Sequence, residues 1–380
     1  MLITGANIYR NDSRTFLRGS LRIGNGRILE VGEYLTPGEE EEVRDLGGAF
    51  VFPGLVDAHT HGRAGFDFGS CSPDAYGVMA LDYARHGVTT VMPTLASSTL
   101  AQMVSATDSI NRFVPRSGEA TFCGVHWEGR FLNPEKKGAH APELLAPLLA
   151  SDLEQEVFRM CGSLHISAAY ELDSDGSFMR KARELGATLG LGHTNATYEE
   201  AKLAEARGLS SYTHVFNCMP PLHHRNGGAV CAALEGNCIA ELICDGIHVS
   251  PEMVRLVYRA KGSGGVSLIS DSMEATGCPD GAYSIAGNPV SVEKGIARTP
   301  EGALAGSTLT LCEAVNRLVE YADISLADAI VCATETPAKQ VGIFESCGSL
   351  DAGKRADLIV SSNRDRLVIH RVMVRGEWMK

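Results

Sequence analysis

The sequence predicts an α/β protein: a (β/α)8 TIM-type barrel with a small β-sandwich domain built from both chain termini. Three observations point there. Eight short apolar runs alternate with helix-forming stretches through the middle of the chain. Several of those runs end, on their C-terminal side, in histidine or a carboxylate. Turn-separated β patterns open the chain and return at its end.

The N-terminal stretches Leu2–Tyr9, Ser20–Ile28 and Asp45–Val51 read as short strands, with a hairpin turn at Gly24-Asn25-Gly26. Ala356–Val360 and Leu367–Val374 resume the pattern, with a turn at Arg375-Gly376-Glu377. One β domain of residues 1–52 plus 345–380 accounts for both ends, and 53–344 forms the barrel. Its eight strands are Gly54–His59, Val88–Thr94, Ala120–Glu128, Ser163–Ala169, Thr188–His193, Ser211–Val215, Ile239–Asp245 and Val266–Asp271. Helical patterns at Pro73–His86, Glu143–Met160, Phe178–Leu185, Tyr198–Arg207 and Pro251–Lys261 fill gaps between them. Cys278–Gly302, rich in Gly and Pro, reads as an insertion with a hairpin, followed by helices at Leu309–Tyr321 and Leu326–Thr334.

Composition narrows the function. A net charge of −12 with pI near 5.5 argues against a nucleic-acid partner or an anionic membrane surface. No apolar run approaches a membrane span, and the first residues lack a basic and apolar leader, so a cytoplasmic protein is expected. The 11 cysteines, odd in number and without C-x-x-C spacing, suit free thiols in a reducing compartment. No glycine-rich phosphate loop sits at a strand-to-helix turn, so a nucleotide site is unsupported.

The strand ends carry the chemistry. His59 and His61, one residue apart, share one side of a strand and can face one point. Glu128, His193, His214, Asp245 and Asp271 end or follow later strands. In a closed barrel these ends meet at one mouth, where His and carboxylate groups suit a divalent metal. Any one of them alone is more economically read as a satisfied core residue; their recurrence at successive strand ends is what favours a metal. Such ligands suit zinc or iron, and also cobalt or manganese.

The chain also resembles the amidohydrolase superfamily and, within it, the N-acetylglucosamine-6-phosphate deacetylase family. The matching segments run in order: Pro53–Gly62, His126–Gly129, Asn133–His140, Gly192–Ala196, Thr213–Pro220, Asp245–His248, Ser270–Met273, Leu304–Ser307 and Gly353–Leu358. The resemblance implies an amide hydrolase that removes acetate from a phosphorylated N-acetyl amino sugar. It assigns Glu128, His193 and His214 as principal metal ligands and His59 and His61 as the pair for a second ion, so one or two divalent ions are expected. Asp271 matches the catalytic aspartate, a proton acceptor and then donor. His140 matches a donor to the carbonyl oxygen. Ala139, Asn217, Cys218, Arg225, His248, Leu304, Ala305 and Gly306 match substrate-binding positions, and a homodimer would bring Arg225 near the partner's site.

One departure stands out. The family follows the ligand glutamate with Gly-Pro, whereas this chain has Glu128-Gly129-Arg130. This is either a local adjustment or an altered pocket in which Arg130 meets a different substituent. Competing readings are an N-acetylgalactosamine 6-phosphate substrate, a cyclic-amide hydrolase, and a non-catalytic relative. His223 and His224 read as loop residues, His86 and His370 as structural ones, and His165 as facing either the barrel interior or the helices.

Overall fold

The computed structural model describes residues 1–285 and 287–379. Both chain ends share one eight-stranded sheet. Phe50–Pro53 pairs parallel with Leu2–Arg10 on one side and antiparallel with Leu358–Ser361 on the other, which joins the two ends. The expected hairpin links Thr15–Gly24 to Arg27–Gly32, with Asn25 at φ 51° and Gly26 at φ 73°, as a two-residue turn of the primed type needs. The sheet curls until Ile28 donates to the Lys354 carbonyl at 2.9 Å, enclosing Ile3, Ile8, Leu21, Val51, Leu358 and Met373.

The chain leaves this sheet at Pro53 and enters the barrel at Leu55. Gly54 lies so close to the next strand that a Cβ there would sit 2.1 Å from Thr89 Oγ1. The barrel strands are Leu55–Thr60, Val88–Ala96, Thr121–Phe122 continued as Val125–Glu128, Leu164–Ala168, Thr188–Leu191, Ser211–Tyr212, Ile239–Ile243 and Val266–Ile269. They pair parallel in sequence order. Closure between last and first strand uses Asp271 N to His59 O at 3.0 Å and His61 N to Ser272 O at 2.8 Å. Helices cover the outer face, so both faces of these strands are buried and the strands read as apolar runs rather than alternating ones.

The helices follow their local signals. Thr99 with Gln102, Thr197 with Glu200 and Thr310 with Glu313 form capping boxes at three helix starts. Leu311–Ala322 buries Leu311, Ala314, Val315, Leu318 and Ala322, one stripe of a 3.6-residue period. The helix expected over Glu143–Met160 is absent. Pro142–Leu144, Ala150–Leu153 and Glu156–Met160 form separate 3-10 turns instead. Pro147 lies inside the expected helix, removes a backbone donor and bars helical conformation from its predecessor. The insertion forms three antiparallel strands, Gly281–Ile285, Asn288–Glu293 and Ile296–Arg298, tied to the pocket wall by Asn288 Nδ2 to Ala139 O at 3.0 Å. Among the described residues no helix is long and apolar enough to cross a membrane.

Candidate active site

The strand ends converge as the barrel requires. Glu128 sits at the centre: its Oε1 lies 2.8 Å from His214 Nε2 and 3.3 Å from His193 Nε2. Its Oε2 lies 3.0 Å from His61 Nε2 and 3.5 Å from His59 Nε2. Asp271 Oδ1 stands 3.3 Å from His61 Nε2 and 3.6 Å from His59 Nε2. One carboxylate thus addresses two clusters, one on each oxygen.

The backbone is bent to do this. His193, His214 and Asp271 have φ of 48°, 30° and 47°, left-handed values that cost a non-glycine residue about 1–3 kcal/mol each. The strain falls where each strand turns into its loop and aims a side chain across the mouth.

The donor set fits a divalent cation. Ligands about 2.1 Å from one ion at tetrahedral angles stand about 3.4 Å from each other, and the separations above cluster there. His193 Nε2 and His214 Nε2 are 3.2 Å apart, and His59 Nε2 is buried with no hydrogen-bond partner. The residues behind these rings prepare them. His59 Nδ1 faces Glu241 Oε2 at 3.0 Å, and His193 Nδ1 faces the Lys136 carbonyl at 2.8 Å. Both partners accept, so each ring carries its proton on Nδ1 and turns an Nε2 lone pair to the centre. Burial pushes the Glu128 carboxyl up, but His59, His193 and His214 outweigh it and hold the group well below the usual carboxylate range. Burial acts likewise on Asp271, where His59 and His61 prevail and keep it ionised. His61 is disfavoured as a cation by burial, yet Asp271 and Glu128 lift it to about 9. The site therefore has a strong demand for positive charge.

His61, Glu128, His193, His214 and Asp271 line an open cleft of about 240 Å³, together with Gly138, Ala139, His140, Asn217, Cys218, His248, Ile285, Ala303, Leu304 and Gly306. His140 is buried, and burial followed by the neighbouring His193 pulls it down to about 3, so it is neutral at ordinary pH. His248 is held by Asp245, which accepts from its Nδ1 at 2.6 Å and from its backbone N–H at 2.8 Å. Of the expected substrate-binding residues, Ala305 turns its side chain into the apolar cluster of Met273, Ile285 and Val290 behind the wall. Arg225 lies outside the pocket of its own chain, on an exposed loop with its Nη1 2.9 Å from His224 Nε2. His223 and His224 share that loop.

Arg130 does not reach the cleft. Its guanidinium points to the Ser98 carbonyl at 3.4 Å, and its backbone has φ 61°, a value closed to proline. His165 faces the barrel interior, with its ring 4.7 Å from that of His126 and Nδ1 2.8 Å from Thr188 Oγ1. Sequence reasoning missed Glu241, which also accepts from the His214 backbone N–H at 3.1 Å and from Gln340 Nε2 at 2.5 Å. A charge inside the apolar run Ile239–Ile243 was the available signal.

Comparison with known proteins agrees with this geometry. The model of the amidohydrolase family matches residues 50–379. An N-acetylgalactosamine-6-phosphate deacetylase of Escherichia coli O157:H7 is 34% identical over 94% of this chain and 93% of its own. An N-acetylglucosamine-6-phosphate deacetylase of Vibrio furnissii is 32% identical over 89% of this chain and 85% of its own. The solved structure of an aspartate-to-alanine variant of N-acetyl-D-glucosamine-6-phosphate deacetylase from Mycobacterium smegmatis, in complex with N-acetyl-D-glucosamine 6-phosphate, superposes with a TM-score of 0.89. That protein is 30% identical, with 100% of this chain and 98% of the other covered. A barrel with a histidine-carboxylate centre at its mouth, a joint terminal sheet and a family match over most of its length make this chain a member of the amidohydrolase family.

Proposed function

We propose that the chain hydrolyses the acetamide of N-acetylglucosamine 6-phosphate to glucosamine 6-phosphate and acetate. The observation that carries this reading is the meeting of Glu128, His193, His214, His61 and Asp271, with His59 against them, in one cleft that His248, Asn217 and Cys218 also line. Relatives at 32% and 34% identity bear the names of deacetylases for the gluco and galacto forms of such a sugar phosphate.

Glu128, His193 and His214 would hold a divalent cation, with His59 and His61 as the pair for a second ion, and it would supply Lewis acidity and lower the pKa of water. Zinc or iron suits these ligands. Asp271 takes one proton of the attacking water as the water oxygen bonds to the acetyl carbon. It delivers that proton to the amide nitrogen as the carbon–nitrogen bond breaks, because an amine leaves only once protonated. His140 donates to the carbonyl oxygen as negative charge grows there. His248, held by Asp245, meets the phosphate beside Asn217 and Cys218, while Ala139, Leu304 and Gly306 shape the sugar site and Ala305 packs behind them. Arg225 supplies a phosphate cation to the other copy in a homodimer. The 11 unpaired cysteines suit a cytoplasmic enzyme of amino-sugar breakdown.

The galacto substrate is the second reading, favoured by the relative at 34% identity. Acetate release from cation-loaded protein, measured on the gluco phosphate, its galacto epimer and the unphosphorylated sugar, decides between them. Turnover fastest on the gluco phosphate is expected. Preference for the epimer establishes the second reading, and release from none of the three overturns both.

A further inference from the structure

His59, His140 and His193 are each held through Nδ1, but not all in the same sense. Behind His59 and His193 stand acceptors. Behind His140 stands a donor. The backbone N–H of Ser97 points at His140 Nδ1 at 3.2 Å, and the Ser97 hydroxyl lies 2.8 Å from the same nitrogen. A backbone amide cannot accept, so Nδ1 holds a lone pair and the ring proton sits on Nε2. That nitrogen faces the cleft, 3.8 Å from Glu128 Oε2.

The hydroxyl is oriented in turn. Its oxygen accepts the Arg130 backbone N–H at 2.9 Å, which leaves its own proton for His140 Nδ1. The approach depends on Gly129: a Cβ there would lie 2.5 Å from both the Ser97 nitrogen and its Oγ. Proline at position 130 has no N–H to give and cannot adopt φ 61°. The Gly129-Arg130 departure is therefore part of an anchor, even though the arginine side chain never enters the cleft.

This matters because His140 Nε2 stands beside the cation ligands: Glu128, His140 and His193 offer donor atoms within 4.8 Å of one another. An Nε2 lone pair would make His140 a ligand, whereas an Nε2 proton makes it a hydrogen-bond donor. We propose that Ser97, oriented by the Arg130 amide, is a positioning residue that fixes His140 as the Nε2–H tautomer, withholding it from the cation and dedicating it to the acetyl carbonyl. The inference rests on the deacetylase reading for the identity of that carbonyl, while the tautomer is independent of it.

The test begins with nitrogen-15 NMR of zinc-loaded, histidine-labelled protein, with His140 assigned from the signals lost in His140→Gln. A protonated Nε2 and a bare Nδ1 are expected; a protonated Nδ1 overturns the proposal, whatever the substrate proves to be. Bound zinc per chain should be the same in His140→Gln, and loss of an ion overturns it as well. In kinetics, Ser97→Ala should lower kcat about tenfold with KM within about twofold, a fraction of the effect of deleting the donor itself. Ser97→Thr should restore kcat. Adding Ser97→Ala to His140→Gln should cost nothing more, and an equal loss in both backgrounds would show a structural role only.

Discussion

At the reacting end of the pocket, His59, His61, Glu128, His140, His193, His214 and Asp271 are each at most 7% exposed and interlock through short polar contacts. Among the residues proposed to meet the phosphate, Asn217 and Cys218 are partly buried and Arg225 stands on an exposed loop, while the His248 side chain is tucked against Asp245. At the first end His59 and Glu128 stand on barrel strands, His61, His193, His214 and Asp271 stand one or two residues beyond strand ends, and only His140 comes from farther along a loop. The second is built on the loops that follow those strands. Bond-breaking needs donor atoms fixed to a fraction of an ångström, which strand ends provide. Recognition of an anion tolerates looser parts.

The largest effect that would break this contrast concerns the cation. Stripping it with a chelator should lower acetate release by more than about a thousandfold, with return on adding zinc; retention of activity would remove the role given to Glu128. Next comes Asp271→Asn, which should lower kcat by about a thousandfold while calorimetry still finds the sugar phosphate bound within a few-fold of the parent affinity. A large loss of binding instead would move Asp271 from chemistry to recognition.

Beneath the reacting end, His165 is buried in the barrel interior, and burial followed by the opposing pull of Glu241 brings it down to about 4. The unfolded chain takes up this proton near pH 6.5 and the folded chain only near 4. Stability from this group is therefore intact above about pH 6.5 and falls as the pH drops through that window, by roughly 3 kcal/mol in all. Urea unfolding across the window should show the slope in the parent protein and a shallower one in His165→Gln. The smallest effect belongs to the phosphate end: Arg225→Ala should raise KM about tenfold for the phosphorylated sugar and leave kcat within about twofold. A fall in kcat of the same size would mean that Arg225 serves the reacting end.

The same division explains what the sequence made legible. The pair His59 and His61 is readable because a strand places residues two apart on one side, and Glu128, His193, His214 and Asp271 because each ends or closely follows an apolar run. Glu241 shows in sequence only as a charge inside an apolar run, and its partner His59, 182 residues away, is not readable there. Ser97 is an ordinary serine until the turn at Gly129 brings a histidine and an amide against it. The region between Glu143 and Met160 misleads because its apolar spacing resembles a helix, while Pro147 prevents one from continuing. Arg225 is the extreme case, since it stands on an exposed loop outside the cleft and nothing in the fold of one chain ties it to the site.

Mixing two disabled proteins tests that contrast most directly. Chains carrying Arg225→Ala retain the reacting end, and chains carrying Asp271→Asn retain the arginine. After dissociation and reassociation together, acetate release at low substrate should rise above that of either protein alone, because each mixed dimer holds one site with both parts. No gain over the separate proteins, with mixed dimers verified by mass, would contradict the account and place phosphate recognition wholly within one chain.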